Sequence, residues 1–212
     1  MPNIKSFTID IFNTKVSLWG VNMKVIIAFA LFIALSGCVS INDINESFRR
    51  VDRAWLLEYQ RTETAYRVRV INGNFEQVFS AVKETFLALN MPFRWISVEE
   101  GEINSTNDAP TPLTNDEWLK VVNSERDNIK KIGGWYMVMR DDPKGYSVII
   151  KAKIKSIGGS VIVSMDYELD NLEYRKMGIQ PSKTAPPLAV QLASSKFWNE
   201  LNSQLEKTNR NK

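Results

Sequence analysis

Two residue types with versatile chemistry are almost missing from this chain of 212 residues, which has no histidine and a single cysteine, Cys38. The absence of histidine excludes Ser-His-Asp and Cys-His triads, histidine general bases and histidine metal ligands. One cysteine cannot form an intramolecular disulfide, although a domain of this size can fold without one. The sequence also has no Gly-x-Ser-x-Gly motif and no glycine-rich phosphate-binding loop. We therefore expect a protein that is not an enzyme and that holds no metal or cofactor.

The remaining route to enzyme chemistry is a pair of carboxylates, at Glu99-Glu100 or at Asp141-Asp142. Both pairs fall in segments with turn composition, where solvated acidic residues are common. We favour that interpretation over general acid–base catalysis, which stays open as the weaker alternative.

A strong excess of one charge is also missing. From Cys38 onward the chain has 24 basic and 23 acidic side chains. A nucleic-acid-binding domain would favour a basic face, so we expect no nucleic acid partner.

An uninterrupted apolar run of eleven residues, Val25–Leu35, follows Lys24 and precedes Ser36 and Gly37. A membrane-spanning helix needs about 20 apolar residues, so this run is too short to be one. A positive start, a short apolar run and small residues are instead typical of a secretory signal peptide.

The residues Leu35-Ser36-Gly37-Cys38 resemble the lipobox of bacterial lipoproteins. The resemblance implies cleavage between Gly37 and Cys38, followed by attachment of diacylglycerol to the thiol and of an acyl chain such as palmitate to the new amino terminus. Several acyl chains on one residue would anchor the protein firmly in a membrane, since each buried methylene contributes about 0.8 kcal/mol. The alternative is a buried core cysteine at the end of an apolar stretch.

The lipobox sets the expected organisation of the chain. We expect a signal peptide over residues 1–37, with translation starting at Met23, and a lipidated tether with a possible helix over 38–64. A single α+β domain over 65–207 and a tail over 208–212 follow. In enterobacterial members of that family, an aspartate directly after the cysteine favours the inner membrane. Here that residue is Val39, which implies the outer membrane with the domain facing the periplasm; inner-membrane anchoring is the alternative.

Hydrophobic periodicity, capping residues and turn residues predict the secondary structure after the tether. Two helices have N-terminal capping patterns, at Asn74 and at Thr114. An irregular connection, Leu172–Thr184, precedes the last helix. The predicted elements are a possible helix over 44–60, a strand over 65–71, a helix over 74–90, strands over 93–98 and from 103, a helix over 114–130, strands over 135–140, 146–157 and 160–170, and a helix from 186.

Gly158-Gly159 predicts a two-residue hairpin, because both central residues of such a turn need positive φ. The turn sets a register in which Ile154 faces Val163, while Lys151 faces Asp166 on the other side. One face is then apolar and the other pairs opposite charges, so the register is specified by the side chains.

Antiparallel hairpins with helices on one face predict the α+β class, in the order β-α-β-β-α-β-β-β-α. Residues 66–103, a strand, a capped helix and a glycine-linked strand pair, resemble the small helix-on-sheet domains of the BamC lipoproteins of the outer-membrane β-barrel assembly complex. That resemblance implies a scaffold that binds other proteins and has no catalytic residues.

Two features are candidate interaction sites. Lys151, Lys153 and Lys155 form a basic ridge that could attract anionic lipid or cell-wall polymer, although Asp166 and Glu168 on the next strand favour a charge-paired surface. We expect the tryptophans to pack in the core, with Trp55, near the tether, the best candidate for an exposed docking residue. We expect a lipid-anchored accessory or assembly subunit that binds other envelope proteins, the alternative being a module for a small ligand, a lipid or peptidoglycan.

Overall fold

The computed structural model describes residues 39–210. The signal segment, the cleavage site at Gly37 and Cys38 lie outside the described residues, so their processing stays a prediction. Within residues 39–210, the helices are all too short or too polar to cross a membrane.

The described chain contains five helices, a π-helical turn and five strands. In chain order they are α1 (Ile41–Thr62), the π-helical turn (Glu63–Arg67), β1 (Val68–Asn72), α2 (Phe75–Ala88), β2 (Phe93–Ser97), β3 (Glu102–Asp108), α3 (Asn115–Gly133), β4 (Tyr146–Ile157), β5 (Ser160–Asn171), α4 (Leu172–Lys176) and α5 (Pro187–Arg210).

The five strands form one antiparallel sheet in the order β1-β5-β4-β3-β2. Its centre is the β4–β5 hairpin, in which Ile154 faces Val163 and Lys151 faces Asp166. Gly158 and Gly159 both have positive φ, at +56° and +85°. The predicted turn and register are therefore confirmed.

One face of the sheet is buried under the helices, which gives the α+β class that the sequence predicts. Alternate residues of the strands point into the core, and the helices contribute apolar side chains spaced one turn apart. The core residues from the sheet include Ile103, Ile150, Ala152, Ile154, Val161, Val163, Met165 and Tyr167. Those from the helices include Val51, Trp55, Tyr59, Val78, Val82, Phe86, Trp118, Val121, Val122, Ile129, Phe197 and Leu201.

Helix α1 begins earlier than the sequence predicts, directly after Ser40. Ser40 and Asp43 form a capping box, in which the Ser40 hydroxyl accepts from the Asp43 amide and the Asp43 carboxylate accepts from the Ser40 amide, both at 3.1 Å. The side chains of Ser47, Val51, Trp55 and Tyr59 are buried. The stretch interpreted as a tether is thus mostly helix, which packs against α3.

The predicted strand over Trp135–Arg140 is wrong. The alternation behind that prediction is real, since Met137 and Met139 are buried while Val138 is exposed. However, the sheet ends at β1 on one edge and at β2 on the other, so residues 135–140 add no strand to it. They run instead as an irregular segment over α1 and α3. Alternation of buried and exposed side chains indicates that a segment is extended with one buried side. It does not indicate which strand, if any, that segment pairs with.

Three smaller differences concern element bounds. β1 begins at Val68, because residues 63–67 form the π-helical turn. β3 continues to Asp108 despite its polar sequence, since each of its residues pairs with β4. The connection after β5 contains α4, and α5 continues through Thr208 to Arg210, where the sequence predicts a tail.

Candidate functional site

The side of the sheet turned away from the helices has no covering layer among the described residues. We call it the open sheet face. It consists of the outward side chains of all five strands, which include Val68, Val70, Trp95, Glu102, Asn104, Thr106, Ile149, Lys151, Lys153, Lys155, Ile162, Ser164, Asp166 and Glu168.

The three lysines of the predicted basic ridge lie on the open sheet face, and two of them are neutralised by ion pairs. The Lys151 ammonium donates to Glu168, and the Lys153 ammonium donates to Glu102. The hydrogen bond to Glu102, and next its negative charge, raise the pKa of Lys153. Lys155 has no ion pair within residues 39–210. The charge pairing expected from the next strand is therefore found at Lys151 alone, because Lys153 pairs with Glu102 on β3 and Asp166 pairs with Arg67.

Arg67 closes one side of this surface. Its Nη1 lies 2.6 Å from Oδ1 of Asp166, and its guanidinium carbon lies 4.6 Å from the centroid of the Tyr59 ring. Burial raises the pKa of Tyr59, so the phenol stays neutral under the arginine. β1 pairs with the first part of β5, and Thr184 bridges to Glu168 further along that strand. The π-helical turn places Arg67 between these two points, so its side chain shields the part of the β5 edge that lies between them.

Trp95 is the most prominent apolar group on the open sheet face, with 45% of its surface exposed. A register shift between Phe93 and Trp95 changes the phase of β2. Phe93 therefore points into the core against Phe86, whereas Trp95 pairs with Asn104 and points outward. The expectation that this tryptophan packs in the core is wrong, and the bulge responsible has no signal in the sequence.

Asn104 occupies the middle of the open sheet face, beside Trp95. Its Oδ1 is buried and has no hydrogen-bond partner in the described part of the chain. A buried acceptor without a partner has a free-energy cost of roughly 1–3 kcal/mol. Ile149 and Ile162 on the neighbouring strands are half-buried. The surface thus combines apolar side chains, one unsatisfied acceptor and charges that are already paired.

Trp55 does not serve as an exposed docking residue. It is 7% exposed, and its Nε1 donates to Oε2 of Glu125 on α3 at 3.0 Å. The exposed tryptophans are Trp95 and Trp135, and the latter is 79% exposed just after α3.

The candidate carboxylate pairs lie in exposed turns. Asp141 accepts from Arg126 at 2.7 Å, and Oδ1 of Asp142 accepts from the backbone amide of Lys144 at 3.0 Å. Glu99 and Glu100 are exposed in the β2–β3 turn. Among residues 39–210, no three carboxylates or other potential ligands lie close enough together to hold a metal ion.

Cavities inside the described domain are small. One lies between α1 and the irregular segment beside Met137, with a volume of about 40 Å³, and one lies under the loop at Pro110, with about 30 Å³. Pockets for small molecules usually have volumes of about 300 Å³ or more. Two larger spaces, of about 610 and 520 Å³, are open grooves on the surface beside α1.

No family model matches this chain. No curated protein is significantly similar to it in sequence.

Proposed function

We propose that this chain is a lipid-anchored protein of the cell envelope, held on the outer membrane through Cys38 with its domain facing the periplasm. In this proposal it is a non-enzymatic accessory or assembly subunit, and it binds another envelope protein through the open sheet face. The observation that carries the proposal is the exposed Trp95 on an uncovered face of paired charges.

The lipid anchor is supported by the sequence before the domain. Lys24, the apolar run Val25–Leu35 and the lipobox ending in Cys38 are arranged as in lipoprotein signals. The first helix of the folded domain begins at Ile41, so the lipidated residue would directly precede the folded part.

A protein partner is supported by the chemistry of the open sheet face. Protein interfaces are enriched in tryptophan and arginine, and a few such side chains contribute most of the binding free energy. Trp95 supplies a large apolar surface, while Lys151 and Lys153 are paired within the domain and do not require charges from the partner. The face spans all five strands, whereas small ligands usually bind in concave sites.

The second candidate is a module that binds a small ligand, a lipid or peptidoglycan. The groove of about 610 Å³ between α1 and residues 175–183 is large enough for such a ligand and contains Arg49, Arg175 and Lys183. Arg49 and Arg175 already pair with Glu46 and Asp170. We therefore rank this candidate below the protein partner.

Two measurements test the proposal. In a host with the lipoprotein-processing enzymes, the precursor should incorporate labelled fatty acid, and Cys38→Ser should abolish both the label and the membrane association. For the partner, a photo-crosslinking amino acid is placed in cells at Val70, which is 66% exposed on the open sheet face, or at Lys155. The matched control is Leu119, an exposed apolar residue on α3.

Both positions on the open sheet face should give the same discrete protein adduct, and position 119 should give none. Trp95→Ala should weaken the adduct formed from position 155 by about tenfold or more, as expected for a dominant contact residue. Equal crosslinking from all three positions, or an adduct unaffected by Trp95→Ala, would contradict the proposed interface.

A further inference from the structure

We propose that the end of the domain formed by the start of α1 and the turn after α3 rests on the membrane surface, with Trp135 inserted among the headgroups of an anionic bilayer. This inference rests on the proposed lipidation of Cys38. It adds a second, protein-mediated contact and a fixed orientation to the anchor.

The chain between the lipid and the domain is short. Cys38 is three residues before Ile41, the first residue of α1. Three extended residues span at most about 11 Å. The capping box between Ser40 and Asp43 fixes the start of the helix, so the lipidated residue and the first turn of α1 have to lie within that distance of each other.

The end of α3 lies at the same end of the domain as the start of α1. In the third turn of α1, the Arg50 guanidinium donates to the carbonyl oxygens of Ile132 and Gly133 at 3.1 and 3.3 Å. Further along α1, Trp55 donates to Glu125, about two turns earlier in α3. The two helices are therefore antiparallel, and the turn that follows α3 projects from the end of the domain closest to the anchor.

Trp135 is the exposed side chain of that turn. It is 79% exposed, the largest fraction among the exposed large apolar residues of the described chain. Its ring lies 5.8 Å from the ring of Tyr136, whose hydroxyl lies 2.6 Å from the Ser47 hydroxyl oxygen and donates to the Asp43 carbonyl at 3.3 Å. These bonds fix the turn against the first two turns of α1. Tryptophan is enriched at the level of the headgroups, where one side of its ring meets apolar chains and its N–H meets water.

The charges at this end of the domain fit an anionic surface. The first three turns of α1 and the last turn of α3 contain more basic than acidic side chains. These are Arg49, Arg50, Lys130 and Lys131, against Asp43 and Glu46. Basic residues close to a membrane are attracted to anionic headgroups over about one Debye length. Ile41, which is also exposed, adds an apolar group beside the anchor.

The test uses the mature lipidated protein in vesicles of phosphatidylethanolamine and phosphatidylglycerol. Trp135→Cys introduces the only free thiol, because in the lipidated protein the Cys38 sulfur is held in a thioether to diacylglycerol, and this thiol is labelled with an environment-sensitive fluorophore. The matched control is Ile157→Cys, at a residue that is 57% exposed. Ile157 ends β4, a strand of 12 residues whose other end, Tyr146, shares a cavity with Phe48 of α1, so it lies roughly 35 Å away from that region.

A quencher attached to the lipid acyl chains should reduce the fluorescence at position 135 at least about twofold more than at position 157, as expected for a group at the interface. Aqueous iodide should show the opposite order. Equal quenching at both positions would overturn the membrane contact. Protection of position 135 from both quenchers would also overturn it, since a protein partner or a second copy would then cover the turn.

Fatty-acid labelling of the same preparations separates this inference from the proposed function. If the protein takes up labelled fatty acid but shows equal quenching at both positions, only the proposed membrane contact of Trp135 is refuted. If it takes up no labelled fatty acid, both the proposed lipid anchor and the inference that rests on it are refuted.

Discussion

At the scale of single residues, the contact between Trp55 and Glu125 shows how burial and charge compete. Glu125 is buried on α3, and burial raises the pKa of its carboxyl because the ionised form loses hydration. The hydrogen bond from the Trp55 indole acts in the opposite direction and is the weaker of the two effects. At neutral pH the carboxylate therefore lowers the stability of the folded protein, although it satisfies the indole N–H.

We predict that Glu125→Gln raises the free energy of unfolding at pH 7, because the amide oxygen still accepts from Trp55 and carries no charge. The pKa of Glu125 is higher in the folded than in the unfolded chain. Its contribution is therefore most favourable below the unfolded pKa, near pH 4, and declines as the pH rises through the folded pKa. The gain from Glu125→Gln should accordingly shrink towards zero near pH 4.

Urea unfolding at pH 7 and at pH 4 measures this difference. The matched control is Glu84→Gln on α2, an exposed position, which should change stability by less than about 0.5 kcal/mol at either pH. A loss of stability in Glu125→Gln at pH 7 would show that the charge itself stabilises the fold.

At the scale of elements, two glycine turns with the same sign of φ have different surroundings. Gly101 ends the β2–β3 turn at φ +64°, and its carbonyl accepts from the Ile154 amide at 2.7 Å. A Cβ at position 101 would collide with the carbonyl oxygen of Ile154. At Gly158, with φ +56°, a Cβ would meet no atom within 4 Å. The first turn is packed against β4 and the second projects into solvent.

We predict that Gly158→Ala lowers the free energy of unfolding by about 1–2 kcal/mol, the cost of the left-handed conformation alone. Gly101→Ala should lower the free energy of unfolding by about 1–3 kcal/mol more than that, because the backbone has to shift to relieve the collision. Thermal or denaturant unfolding of the two variants compares them directly. Equal losses would mean that the β2–β3 turn moves away from β4 without cost.

At the scale of the whole molecule, α1 belongs to the same folded unit as the sheet. Trp55 and Tyr59 lie in the shared core, and the Tyr59 hydroxyl donates to the Tyr167 carbonyl of β5 at 2.8 Å. The first helix is therefore a structural part of the folded domain.

We predict that Trp55→Ala lowers the free energy of unfolding by about 3–5 kcal/mol, as removal of a buried tryptophan usually does. Leu57→Ala on the same helix is the matched control. Leu57 is 56% exposed, so its truncation should change stability by less than about 0.5 kcal/mol. Guanidinium unfolding followed by circular dichroism provides both values. Similar values for the two variants would mean that α1 is not part of the cooperative unit.

Features with local causes could be predicted from the sequence. The caps at Asn74 and Thr114 depend on residues within one turn, and both are present, with the side-chain oxygens accepting from the amides of Gln77 and Glu117. The β4–β5 hairpin depends on two glycines and on the pairing of adjacent strands, and its register is the predicted one. Of the candidate surface residues, Lys151 pairs with Glu168 of the same hairpin, whereas the partner of Lys153 is Glu102 on β3, 51 residues earlier.

The residues of the candidate sites that sequence patterns missed depend on distant parts of the chain. Trp95 points outward because of a bulge in β2, and Trp55 points into the shared core, where it meets Glu125 of α3, 70 residues later. Residues 135–140 alternate like a strand, yet they form no ladder with a neighbouring strand.

The amino-acid sequence by itself determined the caps, the hairpin register and the apolar periodicity, because each depends on neighbours in the chain. The tertiary structure alone decided which extended segments joined the sheet, which face stayed uncovered and which tryptophans met solvent. The physical reason is that periodicity specifies that a side chain is buried, whereas the partner that buries it, or that completes its hydrogen bonds, is fixed only when distant segments pack together.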